Sequence, residues 1–266
     1  MDLKIKNKTA VVTGGGNGIG AAIALRLAAE GAKVVVADLS AEAADKVADA
    51  IKSRKGDTLA VAGDATKPEE VESMVQRTLD CFGAIDILVN NVGGGSGTAL
   101  VIDTKTKDWD QTIEVNLKAP FLCCRLIARE MIPRKSGRII SISSVSGKTG
   151  EALIAPYCAA KFGVIGFTQV LARELARHNI TVNAVCPGYV FTSGWERLAR
   201  SLKENYSSMA DKSLEEIFMA RVKAVTPLGR PQSADEIAGM VAYLASEEAR
   251  SITGQAISVD GGAFMG

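Results

Sequence analysis

Thr13-Gly-Gly-Gly-Asn-Gly-Ile-Gly20 decides how the rest of this chain is read. It follows a short β-branched run, Lys8–Thr13 (KTAVVT), and opens an Ala- and Leu-rich stretch, Gly18–Glu30, of helical character. Glycines between a strand and a helix let the backbone turn tightly and approach a ligand closely. The helix N-terminus behind them presents unpaired N–H groups and the positive end of its dipole. A strand, a glycine loop and a helix in that order therefore point to a bound pyrophosphate. Gly14, Asn17, Gly18, Ile19 and Gly20 are its candidate contacts.

Outward from this loop the same alternation repeats. Lys33–Asp38 (KVVVAD), Thr58–Ala62, Asp86–Asn90 (DILVN), Arg138–Ser143 (RIISIS), Ile180–Val185 and Ala256–Asp260 read as strands. Ala41–Ser53, Pro68–Phe82, Asp108–Met131, Pro156–Arg177 and Ser233–Ala245 read as helices. The strands are near-continuous apolar runs, as expected of parallel strands buried on both faces. The expected fold is α/β: one doubly wound, Rossmann-like parallel sheet of about seven strands, with helices on both faces. With 266 residues and no linker, repeat or low-complexity segment, residues 1–266 are expected to form one domain. Ser193–Thr226 breaks the rhythm: it is polar and helical (WERLARSLKENY, then SLEEIFMARVKAV). Placed after a strand's C-terminal end, residues 193–226 are expected to cover the ligand crevice.

Composition narrows the class. Apolar residues are 47% and charged residues 23%, the balance of a soluble globular protein. Net charge is +1 with Lys and Arg dispersed, so no nucleic-acid surface is expected. No apolar run is long enough to span a bilayer, and Met1–Lys8 lacks a signal peptide's apolar stretch. Five scattered cysteines without metal spacing, and a single histidine, His178, suit free thiols in a reducing cytoplasm and no metal site.

Asp38 ends the second strand, where a carboxylate accepts the ribose hydroxyls of NAD and repels a 2′-phosphate. Neither Asn17 nor Leu39 offers a compensating positive charge, so NAD is expected over NADP. A turn or cap role for Asp38 is the competing reading.

The glycine spacing Gly14-x-x-x-Gly18-x-Gly20, Asn90-Asn91-Val92-Gly93 and Tyr157-Cys-Ala-Ala-Lys161 together resemble the short-chain dehydrogenase/reductase family. The resemblance runs from Lys8 to the closing Ile252–Gly262. It implies that Asp64, with Ala65, contacts the adenine; that Asn91 and Gly93 line its ribose side; and that Pro187, Gly188, Val190 and Thr192 receive the carboxamide. Val92 stands where the family more often has Ala, and Gly93–Gly97 suggests a mobile pocket edge.

Tyr157 and Lys161 are four apart and share a helix face. An ammonium there favours the phenolate, so Tyr157 can exchange a proton with an alcohol near neutral pH. The resemblance also ties Lys161 to the nicotinamide ribose. Ser144 precedes Tyr157 by thirteen residues, as in the family, and would hold the substrate oxygen; Ser143 competes for that role. Asn116 resembles the family's helix-interrupting asparagine, whose backbone carbonyl holds a relay water. Each pair has an ordinary structural reading: a chance Tyr–Lys spacing, a turn serine, a satisfied core amide. Their joint occurrence in family order favours chemistry.

The substrate wall is expected from Gly94–Leu100, Val145–Ile154 and the chain from Tyr189 onward. Glu151, Leu153, Tyr189, Phe191 and Trp195 are its candidates, with Ser144 and Tyr157 at the reacting oxygen. Such an apolar wall suits a small-molecule secondary alcohol: a diol, polyol or alicyclic alcohol by resemblance. Glu151 either bonds a further hydroxyl or faces water. The alternatives are a 3-oxoacyl (ACP or CoA) reductase or hydroxyacyl-CoA dehydrogenase, with the usual NADPH of the ACP branch set against Asp38. A halohydrin dehalogenase, against which the intact glycines and Lys161 weigh, a non-enzymatic NAD-binding regulator, which would tolerate loss of Tyr157 or Lys161 although both are present, and an oligomerising scaffold are further readings. The resemblance implies a homotetramer built on the two long helices.

Overall fold

The apolar runs pair side by side in the computed structural model, which describes residues 2–95, 97–205 and 209–266. In chain order the strands are β1 (Thr9–Thr13), β2 (Lys33–Asp38), β3 (Thr58–Ala62), β4 (Ile87–Asn90), β5 (Gly137–Ile142), β6 (Ile180–Pro187) and β7 (Ala256–Val259). They form one parallel sheet in the order β3-β2-β1-β4-β5-β6-β7.

Successive residues along a strand enter different cores, which is why no regular alternation of apolar and polar residues marks them. Ala10, Val12, Val34 and Val36 pack with α1 (Gly18–Ala29), α2 (Ala41–Ser53) and α9 (Ala234–Ala245). Val11, Val35, Ala37 and Val61 pack with α3 (Pro68–Phe82), α5 (Ala119–Met131) and α6 (Ala155–Leu175). Local signals set the helix ends. Ser40 caps α2 through the Ala43 N–H, Pro68 opens α3, and Gly83 at φ 79° closes it.

The stretch 108–131 is not one helix. It is α4 (Thr106–Ile113), a π turn (Glu114–Lys118) and α5. The Ala119 N–H reaches back to the Glu114 carbonyl, five residues away. Pro120 supplies the reason: it has no N–H to give to the Asn116 carbonyl in an α-helical register. The helix expected to end at Arg177 instead stops at Leu175 and finishes in a 3₁₀ turn, Ala176–His178, before Asn179 at φ 54°.

The covering segment folds as α7 (Ser193–Asn205) and α8 (Leu214–Val225). Tyr189, Phe218 and Val222 give it a small core of its own, with Trp195 packed against it. At its base, the Tyr189 N–H donates to Gln232 Oε1 and the Gln232 N–H donates to the Tyr189 carbonyl, both at 2.9 Å. No described helix is long and apolar enough to cross a membrane.

Candidate active site

A cavity of 1410 Å³ opens at the C-terminal ends of β1, β4, β5 and β6, beside the point between β1 and β4 where the strand order reverses. On the β1 side it is lined by Gly14, Asn17, Gly18 and Ile19. Gly20 stands behind them. A Cβ there would lie 2.0 Å from the Gly14 carbonyl oxygen, so only glycine lets the helix approach the loop this closely. Asn17 makes no side-chain bond to the start of α1, whose first N–H groups are left for a ligand.

Asp38 and Leu39 line the outer end. The Asp38 carboxylate accepts from the Gly16 N–H at 2.9 Å and from the Ser40 N–H at 3.0 Å. The turn role thus falls on a carboxylate that also lines the cavity. Asn91 also lines the cavity, and its amide donates to the Gly14 carbonyl at 2.9 Å, bracing the loop from β4. Asp64 and Ala65 are not on the cavity wall. The Asp64 carboxylate instead accepts from the N–H and hydroxyl of Thr66, both at 2.8 Å, which turns the chain into α3. A glycine cradle, an unspent helix N-terminus and a carboxylate at the outer end together fit a dinucleotide. Gly93, Pro187, Gly188, Val190 and Thr192 complete the wall toward the interior.

Ser144, Tyr157 and Lys161 meet at the inner end. The two serines differ. Ser143 donates to the Lys161 carbonyl at 3.0 Å and fixes β5 to α6. The Ser144 hydroxyl sits beside the Tyr157 hydroxyl and accepts from the Ser146 N–H at 3.1 Å. Burial pushes the Tyr157 phenol up to about 12, with the neighbouring Ser144 hydroxyl working against it. Burial also pulls the Lys161 amine down to about 8. The amine donates to the Ile142 carbonyl at 2.9 Å and lies 5.5 Å from the centre of the Tyr157 ring. The expected lowering of Tyr157 by Lys161 is therefore not built into this arrangement: desolvation dominates both groups, and the amine is bonded to a carbonyl. Asn116 is fully buried in the π turn, off the cavity wall. Its amide bonds the main chain of Gly94 in both directions, at 2.6 and 3.1 Å.

On the substrate side, Glu151, Leu153, Tyr189 and Trp195 line the cavity as expected. Phe191 does not; its ring packs on Phe218 with centroids 5.0 Å apart. Glu151 already has three protein partners. It accepts from Ser146 Oγ at 3.2 Å, from the Tyr189 hydroxyl at 3.3 Å and from the Arg221 guanidinium. Leu153 holds a left-handed backbone at φ 75°. Ser96, within the glycine-rich edge, lies outside the described residues.

The sequence profile described as short chain dehydrogenase matches residues 8–203. This chain belongs to the short-chain dehydrogenase family. It is 42% identical over 260 residues to a 3-oxoacyl-[acyl-carrier-protein] reductase of Synechocystis sp., covering 97% of each chain. It is 40% identical to the 3-oxoacyl-[acyl-carrier-protein] reductase FabG of Staphylococcus epidermidis, covering 97% of this chain and 100% of the relative. Among solved structures, levodione reductase superposes with a TM-score of 0.90 at 30% identity, covering 97% of this chain and 98% of that one.

As a short-chain dehydrogenase, the protein is an oxidoreductase acting at CH–OH or keto carbons with a nicotinamide dinucleotide. Two residues of its site escape sequence reading. Arg221 sits in a charged amphipathic stretch, where a cation reads as solvated surface, and Ser146 lies in a turn among other serines. Only the fold brings them to Glu151.

Proposed function

We propose that this dehydrogenase is an NAD(H)-linked reductase of 3-oxoacyl thioesters, reversible as a 3-hydroxyacyl dehydrogenase. The observation that carries it is the Ser144–Tyr157 hydroxyl pair above buried Lys161, at the inner end of a cavity large enough for a dinucleotide and an acyl substrate together. The full-length similarity to 3-oxoacyl reductases favours the thioester over the diol, polyol or alicyclic alcohol that leads in the sequence. Asp38 supports NAD over NADP through repulsion of a 2′-phosphate.

Pro187, Gly188, Val190 and Thr192 would hold a nicotinamide, which would supply or accept the hydride. Ser144 holds the substrate oxygen and favours the charge that gathers there. Tyr157 gives that oxygen a proton in reduction and takes it in oxidation. Lys161 serves beneath it, and the Asn116 carbonyl, deprived of an α-helical donor by Pro120, holds the water that refills the proton path.

A cyclic diketone or alcohol is the second reading. It is favoured by the likeness to levodione reductase and by the aromatic wall in which Trp195 lies 4.8 Å from Phe218 and 6.2 Å from Tyr189. NADH and NADPH oxidation with acetoacetyl-CoA and with a cyclic diketone tests both. Preference for acetoacetyl-CoA with NADH supports the thioester reading; turnover of the diketone alone supports the second. Phe121, Phe162 and Val170 on α5 and α6 are exposed apolar side chains that support a homotetramer. Gel filtration tests it, and a monomer would refute it.

A further inference from the structure

We infer that Arg221 and Glu151 are positioning residues: they couple the seating of α8 to the orientation of the Ser144 hydroxyl. The inference holds for whichever carbonyl substrate the site accepts.

The connection is continuous. Arg221 leaves α8, pairs with Glu151 and donates through Nε to the Tyr189 hydroxyl at 3.1 Å. The Tyr189 hydroxyl donates to Glu151 Oε1 at 3.3 Å, and Ser146 Oγ donates to Glu151 Oε2 at 3.2 Å. The Ser146 N–H then donates to Ser144 Oγ at 3.1 Å. A hydroxyl has one proton and two lone pairs. With one lone pair taken by Ser146, Ser144 keeps the rest for Tyr157 and the substrate oxygen. The path therefore selects the rotor state that the chemistry needs.

Glu151 is tied to the other half of the pair as well. Its N–H donates to Cys158 Sγ at 3.4 Å, and that thiol donates back to the Glu151 carbonyl at 3.7 Å. Cys158 directly follows Tyr157. One residue thus touches the supports of both hydroxyls while its carboxylate receives a cation from the covering segment, 70 residues on.

The Arg221 side chain is 46% exposed and that of Glu151 26%. A pair this open to solvent adds little to global stability. Its other feature is directional: the guanidinium donates to two oxygens in one plane, a geometry that lysine cannot reproduce. If α8 lifts, Glu151 loses its cation, and Ser146 is held from one side fewer.

The test uses the full chain with NADH bound and needs no known substrate for its first readout. Amide exchange by mass spectrometry is followed in peptides covering 144–152 and 214–225, for the wild type, Arg221→Met, Arg221→Lys and Glu151→Gln. The expected result is exchange accelerated about tenfold in 144–152 for Arg221→Met, with partial recovery in Arg221→Lys. Glu151→Gln, made separately, accelerates the same peptide and guards against misfolding of one variant. With acetoacetyl-CoA, kcat falls about tenfold with KM for NADH unchanged, and the double variant is no worse than Arg221→Met alone. Acceleration confined to 214–225, or additive losses in the double variant, would overturn the coupling. A wrong choice of substrate leaves the exchange result standing.

Discussion

The Lys161 amine donates to the Ile142 carbonyl at 2.9 Å, beneath the ring of Tyr157 and away from solvent. This buried cation has an energetic consequence. Its pKa falls from 10.5 to about 8 on folding. Between those values the unfolded chain holds a proton that the folded chain has released, so stability rises with pH across that window. Below about pH 8 the cost of the buried charge is present in full. Lys161→Met removes it and should raise stability at pH 7 by roughly 1–2 kcal/mol, after the loss of one hydrogen bond to Ile142. The advantage should shrink by about 2 kcal/mol by pH 10. Above pH 10 the raised Tyr157 acts in the opposite sense, so urea unfolding at pH 7 and 10 is the clean comparison. Turnover should be lost at both.

Tyr157→Phe keeps the ring and removes the proton donor. NADH affinity should stay within about twofold while kcat falls at least a hundredfold, the usual worth of positioned acid–base catalysis. Fluorescence titration and steady-state assays report the two quantities, and preserved turnover would remove Tyr157 from the proton path.

Asp38→Ala should shift the ratio of NADP(H) to NAD(H) affinity upward by about tenfold, because the repelling carboxylate is gone. It should also lower stability by about 1 kcal/mol, since the Gly16 and Ser40 N–H groups lose their acceptor. A stability loss with an unmoved affinity ratio would leave Asp38 as a turn residue only.

Gly93→Ala probes how closely Asn116 and Lys161 approach. A Cβ at Gly93 would stand 2.9 Å from Asn116 Oδ1 and 3.2 Å from Lys161 Nζ. The methyl should force them apart and lower kcat about tenfold with little change in thermal midpoint. Unchanged kcat would show that the spacing of the two groups is slack.

The sheet was legible because burial on both faces leaves an unbroken apolar run, and Val34–Ala37 is such a run. The glycine loop and the Tyr157–Lys161 pair were legible because backbone conformation and helix geometry constrain near neighbours. The π turn was present in the sequence as Pro120, yet 3.6-residue periodicity passes over a single lost N–H. Asp64 reads two ways because a carboxylate at a strand end serves a turn as readily as a ligand. Arg221 and Glu151 were illegible together: no local rule links residues 70 positions apart. The environment of Lys161 was equally hidden, since spacing predicts a shared face but not how deeply an amine is buried.

The reciprocal bonds between Tyr189 and Gln232 bring the two ends of the covering segment together like a clasp. Closing a loop across fixed ends depends weakly on its length: doubling it costs only about 0.6 kcal/mol. The covering helices can therefore lengthen, shorten or be exchanged while the clasp, the sheet and the glycine loop stay as they are. New substrate preferences can arise in this scaffold by replacing one closed module, provided that a cation still meets Glu151 as Arg221 does.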